Sequence, residues 1–436
     1  MAKDVLFPVL ILMLALMLSL FLVPGEGAAQ GLSGLQKKAP AARQSNLRRQ
    51  RPGRASKRRF GRRPPVRGGK RGAKRGTKGG GGGDANIDTS NLDAAALAAI
   101  IASISERNPE AAEELMREAI SRNPAIAKAL VGEVVASLSK SQSDNTAAQV
   151  RGIVATAVET ALQSGGGSAA VQAIISGAVE GSASADGGGE GQSLVGDIVS
   201  SAVETAVKSD SGGGEKASDM VLDIVATAIE TNAATADAGA GASTEAVGDI
   251  VSSAVRSAVA SSPDAGAELA TELVKDIVTV AIETSTESSE DSAGLVKVIA
   301  ASSVEAVLLT VEDSAQVTEL VQATTTGAVI GAVAAADGDS AATLELVEAS
   351  TSGVVESVAV LADEGSISTE EIAEVISEGA SEGLVEAADD GATIDATLEE
   401  AVSTESIEEV TEVAIAESLE LEPASEPDSS DSTSPN

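Results

Sequence analysis

From Leu194 the chain reads L-V-G-D-I-V-S-S-A-V-E-T-A-V, and its apolar positions are Leu194, Val195, Ile198, Val199, Ala202, Val203, Ala206 and Val207. Spacings of one, three and four place these side chains in one stripe along an α-helix. A half-buried strand would alternate apolar and polar residues, and this stretch does not. The β-branched Val and Ile residues lower helix propensity. The spacing, with many Ala and Glu residues around it, outweighs that effect.

The stretch recurs. D-I-V-S-S-A-V-E-T from Asp197 returns as D-I-V-A-T-A-I-E-T from Asp223, D-I-V-S-S-A-V-R-S from Asp249 and D-I-V-T-V-A-I-E-T from Asp276. Marked by their central aliphatic residue, copies stand at Ile100, Leu115, Val134, Ile153, Ile174, Ile198, Ile224, Ile250, Ile277 and Ile299, with fainter ones near Thr324, Ser350 and Ala380. Later copies are further apart because Gly, Ser and Asp enter the connections, as in S-G-G-G-S from Ser164; loops absorb such insertions at little cost. The expected fold is all-α, an array of about a dozen short tandem helical repeats in a solenoid-like or irregular up-down stack. Short turns make sequential helices antiparallel.

A lone helix of this length is marginal in water, so each stripe must be buried against a neighbour, and the expected neighbour is the next copy. The facing residues are small, which lets helices approach closely. The core is expected to be aliphatic throughout, because the only aromatic residues are Phe7, Phe21 and Phe60.

Four segments follow from composition. Residues 1–29 carry a nearly pure apolar run from Val5 to Val23, broken by Pro24 and Gly25. Gly27 and Ala29 fit a signal-peptidase site, with cleavage after Ala29. The competing reading is an uncleaved membrane anchor, since 19 apolar residues lie within the spanning range. Residues 30–83 are rich in Arg, Lys, Gly and Pro and are expected to be disordered, ending in the glycine run Gly79 to Gly83. Residues 84–422 form the acidic, Ala/Val-rich repeat domain. Its order is expected to begin near Asp88, with N-caps available up to Asp93 and tight turns at Asn108-Pro109 and Asn123-Pro124. Residues 423–436 form an acidic, Pro/Ser-rich tail, expected to be disordered.

Charge is segregated along this plan. From Lys37 to Lys78 there are 18 basic residues and no acidic one, whereas residues 84–436 hold 11 basic and 64 acidic residues, a formal −53. The basic block is therefore the strongest functional signal. Arg48, Arg49, Arg51, Arg54, Lys57, Arg58, Arg59, Arg62, Arg63, Arg67, Lys70, Arg71, Lys74, Arg75 and Lys78 are its candidate polyanion-binding residues. They would bind by counterion release, with steep salt dependence. Base stacking needs aromatic side chains and only Phe60 is present, so binding would be sequence-blind. The expected partners are an anionic polymer or surface: nucleic acid, anionic lipid or acidic polysaccharide. The chain's own acidic array is another candidate, giving self-association, and a membrane is a partner if the N-terminal segment stays uncleaved.

Enzymatic chemistry has few residues to use. Histidine and cysteine are absent, which removes the usual activated nucleophiles, zinc ligands and disulfides. A Ser–Lys arrangement would have to use residues such as Lys275 and Lys297, which read as solvated surface charges. Asp337-Gly338-Asp339, and Asp389-Asp390-Gly391 with Asp395, are the best carboxylate clusters for a hard cation, yet neither matches an EF-hand loop and turn chemistry explains both. The glycine runs lack any phosphate-loop context. No cofactor is expected. The reading is a non-enzymatic structural or scaffold protein, secreted or membrane-tethered, whose array serves as spacer or assembly element. The alternative is a membrane-anchored cytoplasmic scaffold that binds nucleic acid through the basic arm.

Overall fold

The computed structural model describes residues 93–420, apart from residues 142, 185–189, 210–214, 237–243, 263–266, 288, 290, 364–367 and 395. The expectations for residues 1–29, 30–83 and 423–436, including all fifteen basic candidates, lie outside the described residues.

The described chain is all-α and contains no strand. It begins with α1 (Ala94–Ser105), α2 (Pro109–Arg122), a 3-10 turn (Pro124–Ile126), α3 (Ala127–Ser141), α4 (Thr146–Gln163) and α5 (Gly167–Ala183). It continues through α6 (Glu190–Ser209), α7 (Glu215–Thr235), α8 (Thr244–Ser261), α9 (Ala267–Thr286) and α10 (Ser292–Thr310). It ends with α11 (Ser314–Ala335), α12 (Ser340–Asp363), α13 (Thr369–Asp389), the short α14 (Ala396–Ala401) and α15 (Thr404–Glu420). The faint copies near Thr324, Ser350 and Ala380 are full helices, α11 to α13.

Local chemistry sets the helix ends. The Asp93 carboxylate accepts the Ala96 N–H at 2.8 Å and starts α1. At Asn108-Pro109 the Asn side chain accepts from Ala111, and Pro109 occupies the first turn of α2, where its missing N–H costs nothing. At Asn123-Pro124 the proline instead opens the 3-10 turn, and Asn123 makes no side-chain cap. Helix α4 ends at Gly165, whose φ of 73° suits glycine, and the Gly166 N–H returns to the Ala161 carbonyl at 2.9 Å.

The aliphatic stripe is buried. Leu194, Val195, Ile198, Val199, Ala202, Val203 and Ala206 belong to the core, and Val207 is half-buried. Equivalent Ile, Val and Ala residues from the other helices join them in one continuous cluster running from Leu97 to Ile407.

The packing partner is not chiefly the next helix. Sequential helices do pack in an up-down stack. The more extensive contacts, however, run between alternate helices: α1–α3–α5–α7–α9–α11–α13 form one row and α2–α4–α6–α8–α10–α12–α15 the other. Members of a row run the same way, so the molecule is a two-layer solenoid of helical hairpins. Glycines explain the intimacy. A Cβ on Gly177 or Gly181 of α5 would fall against the carbonyls of Lys128 and Gly132 of α3, and one on Gly353 of α12 against the Lys297 carbonyl of α10, each closer than 3.0 Å. Hydroxyls stitch the same seams. Thr326 Oγ1 lies 3.0 Å from both the Gln322 carbonyl of its own helix and the Gly379 carbonyl of α13, and Thr279 does the same between Lys275 and Gly327. Each Thr thus satisfies its polar group inside an otherwise apolar layer.

Helices α10 and α11 are long and apolar enough to cross a membrane by length and composition. Each also has row neighbours on both sides and contributes many buried residues to the core.

Candidate interaction surfaces

Six of the array's eleven cations form ion pairs within it. Lys128 of α3 pairs with Glu180 of α5 at 2.7 Å, Arg151 of α4 with Asp197 of α6 at 3.5 Å, and Lys297 of α10 with Glu356 of α12 at 2.6 Å. Lys275 of α9 reaches further along its row, past α11, to both carboxylate oxygens of Glu386 of α13 at 3.0 and 3.2 Å. Arg122–Glu118 and Lys208–Glu204 are pairs within single helices. Lys275 and Lys297 are therefore bridges between helices, where the sequence suggested plain solvated charges. Their partners lie 111 and 59 residues away, a distance at which no helical spacing rule operates.

The remaining surface is dominated by carboxylates. Burial pushes the Asp276 carboxyl above its ordinary range, an effect larger than the downward pull of the neighbouring Lys275 ammonium; Glu272 and Glu386 add to the rise. Burial, then Glu245, raises Asp249, and burial, then Glu287, raises Glu283. Burial draws Lys275 down, but its hydrogen bond to Glu386 and the charges of Glu386, Asp276 and Glu272 together leave it raised.

The acidity is also graded. Lys297 is the last basic residue of the chain, and residues 298–436 carry 32 acidic residues without one. The two ends of the array differ in another way. Helix α1, A-A-A-L-A-A-I-I-A-S-I-S, has no charged residue, and it leaves Ala95, Ala96, Ala99 and Ser103 exposed and Ile100 half-buried. At the other end Val385 of α13 is 63% exposed, and Val410 and Val413 of α15 are 45% and 53% exposed. Val385 lines an open groove of about 280 Å³ with Leu384, Ala388, Ile394 and Val402. These exposed valines carried no signal in the sequence, because they sit in the same Val/Glu texture as buried ones.

The described carboxylates of the two clusters lie at turns, and Asp395 lies outside the described residues. Asp339 accepts the Ala341 and Ala342 N–H groups at 3.0 and 3.3 Å and so caps α12, after Asp337 and Gly338 take up positive φ. Gly391 closes α13 at φ 102°. Among the described residues no group of three or more Asp, Glu, His or Cys is placed to hold a metal ion. No protein-family model matches the chain, and no curated protein matches it.

Proposed function

We propose that the protein is a non-enzymatic scaffold whose stiff acidic solenoid holds apart, or assembles, whatever its N-terminal basic segment binds. The observation that carries this reading is the separation of charge: a block of 18 basic residues precedes residues 84–436, which carry a formal charge of −53 and pair six of their eleven cations internally. A solenoid is a quasi-one-dimensional spacer, and its length grows with repeat number. The basic block supplies non-specific affinity for an anionic polymer or surface, while the acidic array repels that same polymer and keeps it at one end.

We place the protein outside the cytoplasm, or tethered to a membrane by the apolar run from Val5 to Val23. Sequencing the N-terminus of protein from its own cells separates these: Gln30 first supports export with cleavage, whereas an intact start favours the tether. The binding reading is tested by deleting residues 30–83 and comparing retention on anionic polymer, anionic vesicles and nucleic acid across a salt series. Retention that falls steeply with salt and disappears with the deletion supports it. Unchanged retention removes the basic block from the mechanism.

A further inference from the structure

One register recurs along the later part of both rows. The residue three places after the central aliphatic mark of a copy lies against the residue two places before the mark of the preceding row member. In the α6–α8–α10 row these pairs are Ser253 against Gly196 and Ser302 against Gly248. In the other row, from α9 onward, they are Gly327 against the Lys275 carbonyl and Gly379 against the Gln322 carbonyl. Each pair contains a glycine, so one helix meets the other's backbone directly. Carried to α7 and α9, the same register pairs Leu222 with Val280, both half-buried. Neither helix contains a glycine. The distance between packed helices follows the size of the side chains at their contact, so two large aliphatic residues keep these backbones apart. Accordingly α7 and α9, of 21 and 20 residues, share the least extensive contact of any neighbours in their row.

We propose that the array is hinged at this seam: α7 and α9 part and close while α6, α8 and α10 stay packed, so the solenoid bends with the α7–α9 row outermost. Apolar contact is non-directional, so the Leu222–Val280 pair sets no register that opening would have to break. The glycine contacts on either side do set one, since a carbonyl held against a glycine leaves no room to slide. The molecule therefore has a mechanical asymmetry. One row is closed throughout α6, α8 and α10 and acts as the fulcrum, and the facing row has its break opposite α8. Hinges of this kind turn a few residues into a large change of shape. Each block keeps the stiffness a spacer needs, and the inference stands whether or not the basic segment binds a polyanion.

The test is pulsed electron paramagnetic resonance on the full chain, which has no cysteine of its own to compete for spin labels. Asp219→Cys/Glu319→Cys spans α7 to α11 across the proposed hinge. Glu272→Cys/Glu371→Cys spans α9 to α13 at equivalent positions, and Glu204→Cys/Glu305→Cys spans α6 to α10 in the facing row. All six positions are exposed, and each pair covers two helix spacings, roughly 20 Å. The first pair should give a distance distribution about twice as broad as either of the others, with its excess on the long side. Val280→Ser, which gives the seam the small residue found in the facing row, should shorten the first distance and narrow it to the width of the other two. Equal widths for all three pairs overturn the proposal, as does a Glu204–Glu305 distribution as broad as the first, because the fulcrum would then be missing. A first pair that stays broad in Val280→Ser overturns the role of the Leu222–Val280 contact. The comparison of the three pairs needs no change at the seam, so it remains decisive even if circular dichroism shows that Val280→Ser loses helix.

Discussion

Gly327 of α11 presses its backbone against the main-chain carbonyl of Lys275 of α9, so closely that a Cβ at Gly327 would overlap the oxygen. The Lys275 side chain meanwhile passes on to Glu386 of α13. One residue thus ties three members of a row: its carbonyl receives a glycine, and its ammonium crosses to the helix beyond.

Gly327→Ala should therefore destabilise the array even though alanine is the better helix former. The propensity gain is about 1 kcal/mol, while forcing a methyl group onto an immovable carbonyl costs about 1–3 kcal/mol or more. Gly152→Ala is the control, because its Cβ would meet only the flexible end of the Glu113 side chain. Thermal denaturation should show a loss for the first and no loss, or a small gain, for the second. Equal behaviour would mean that the close approach between neighbours of one row is not real.

The Lys275–Glu386 pair is only partly shielded, so its worth should be modest, about 1 kcal/mol. A double-mutant cycle of Lys275→Met and Glu386→Gln should return a coupling of that size, reduced by salt. The raised Lys275 pKa means its stabilisation is complete below the unfolded value of 10.5 and is lost only as pH climbs through the folded one. A coupling that vanished between pH 6 and 8 would contradict this bridge.

Val199→Asp and Glu204→Gln lie on one helix and should differ sharply. Val199 is fully buried, and an unpaired carboxylate there should cost more than about 3 kcal/mol. Glu204 pairs with Lys208 on an exposed face, so its neutralisation should stay within about 0.5 kcal/mol. Urea titration of both variants measures the difference, and comparable losses would argue against a buried stripe.

Mild acid should stabilise the array. Asp249, Asp276 and Glu283 are all raised, so the folded state holds more protons than the unfolded state in the interval between the ordinary carboxylate value and the raised one. Stability then rises as pH falls through that interval and is lost again on the way up. Protonation also relieves self-repulsion along residues 84–436, whose formal charge is −53. Melting temperature should be higher near pH 5 than at pH 7.5. A steady fall with acidification would show that these three buried carboxyls do not set the response.

The repeat, the helical spacing and the aliphatic stripe were legible before any coordinates, because each depends on residues within one or two turns of one another. The same holds for Asn108-Pro109 and for the Asp93 cap, where a side chain serves a backbone group three residues away. The segregation of charge was equally plain, since it is a property of order along the chain. Tertiary structure alone decided that alternate helices form the closest seams: Gly177, Gly327 and Gly353 could have been loose points in a helix until a carbonyl was found against each. It also turned Lys275 and Lys297 from surface charges into bridges, and it singled out Val385, Val410 and Val413 from dozens of buried valines. Burial and long-range pairing depend on which distant copy lies opposite. Copies so alike in pattern do not encode that locally; it emerges when the rows are packed.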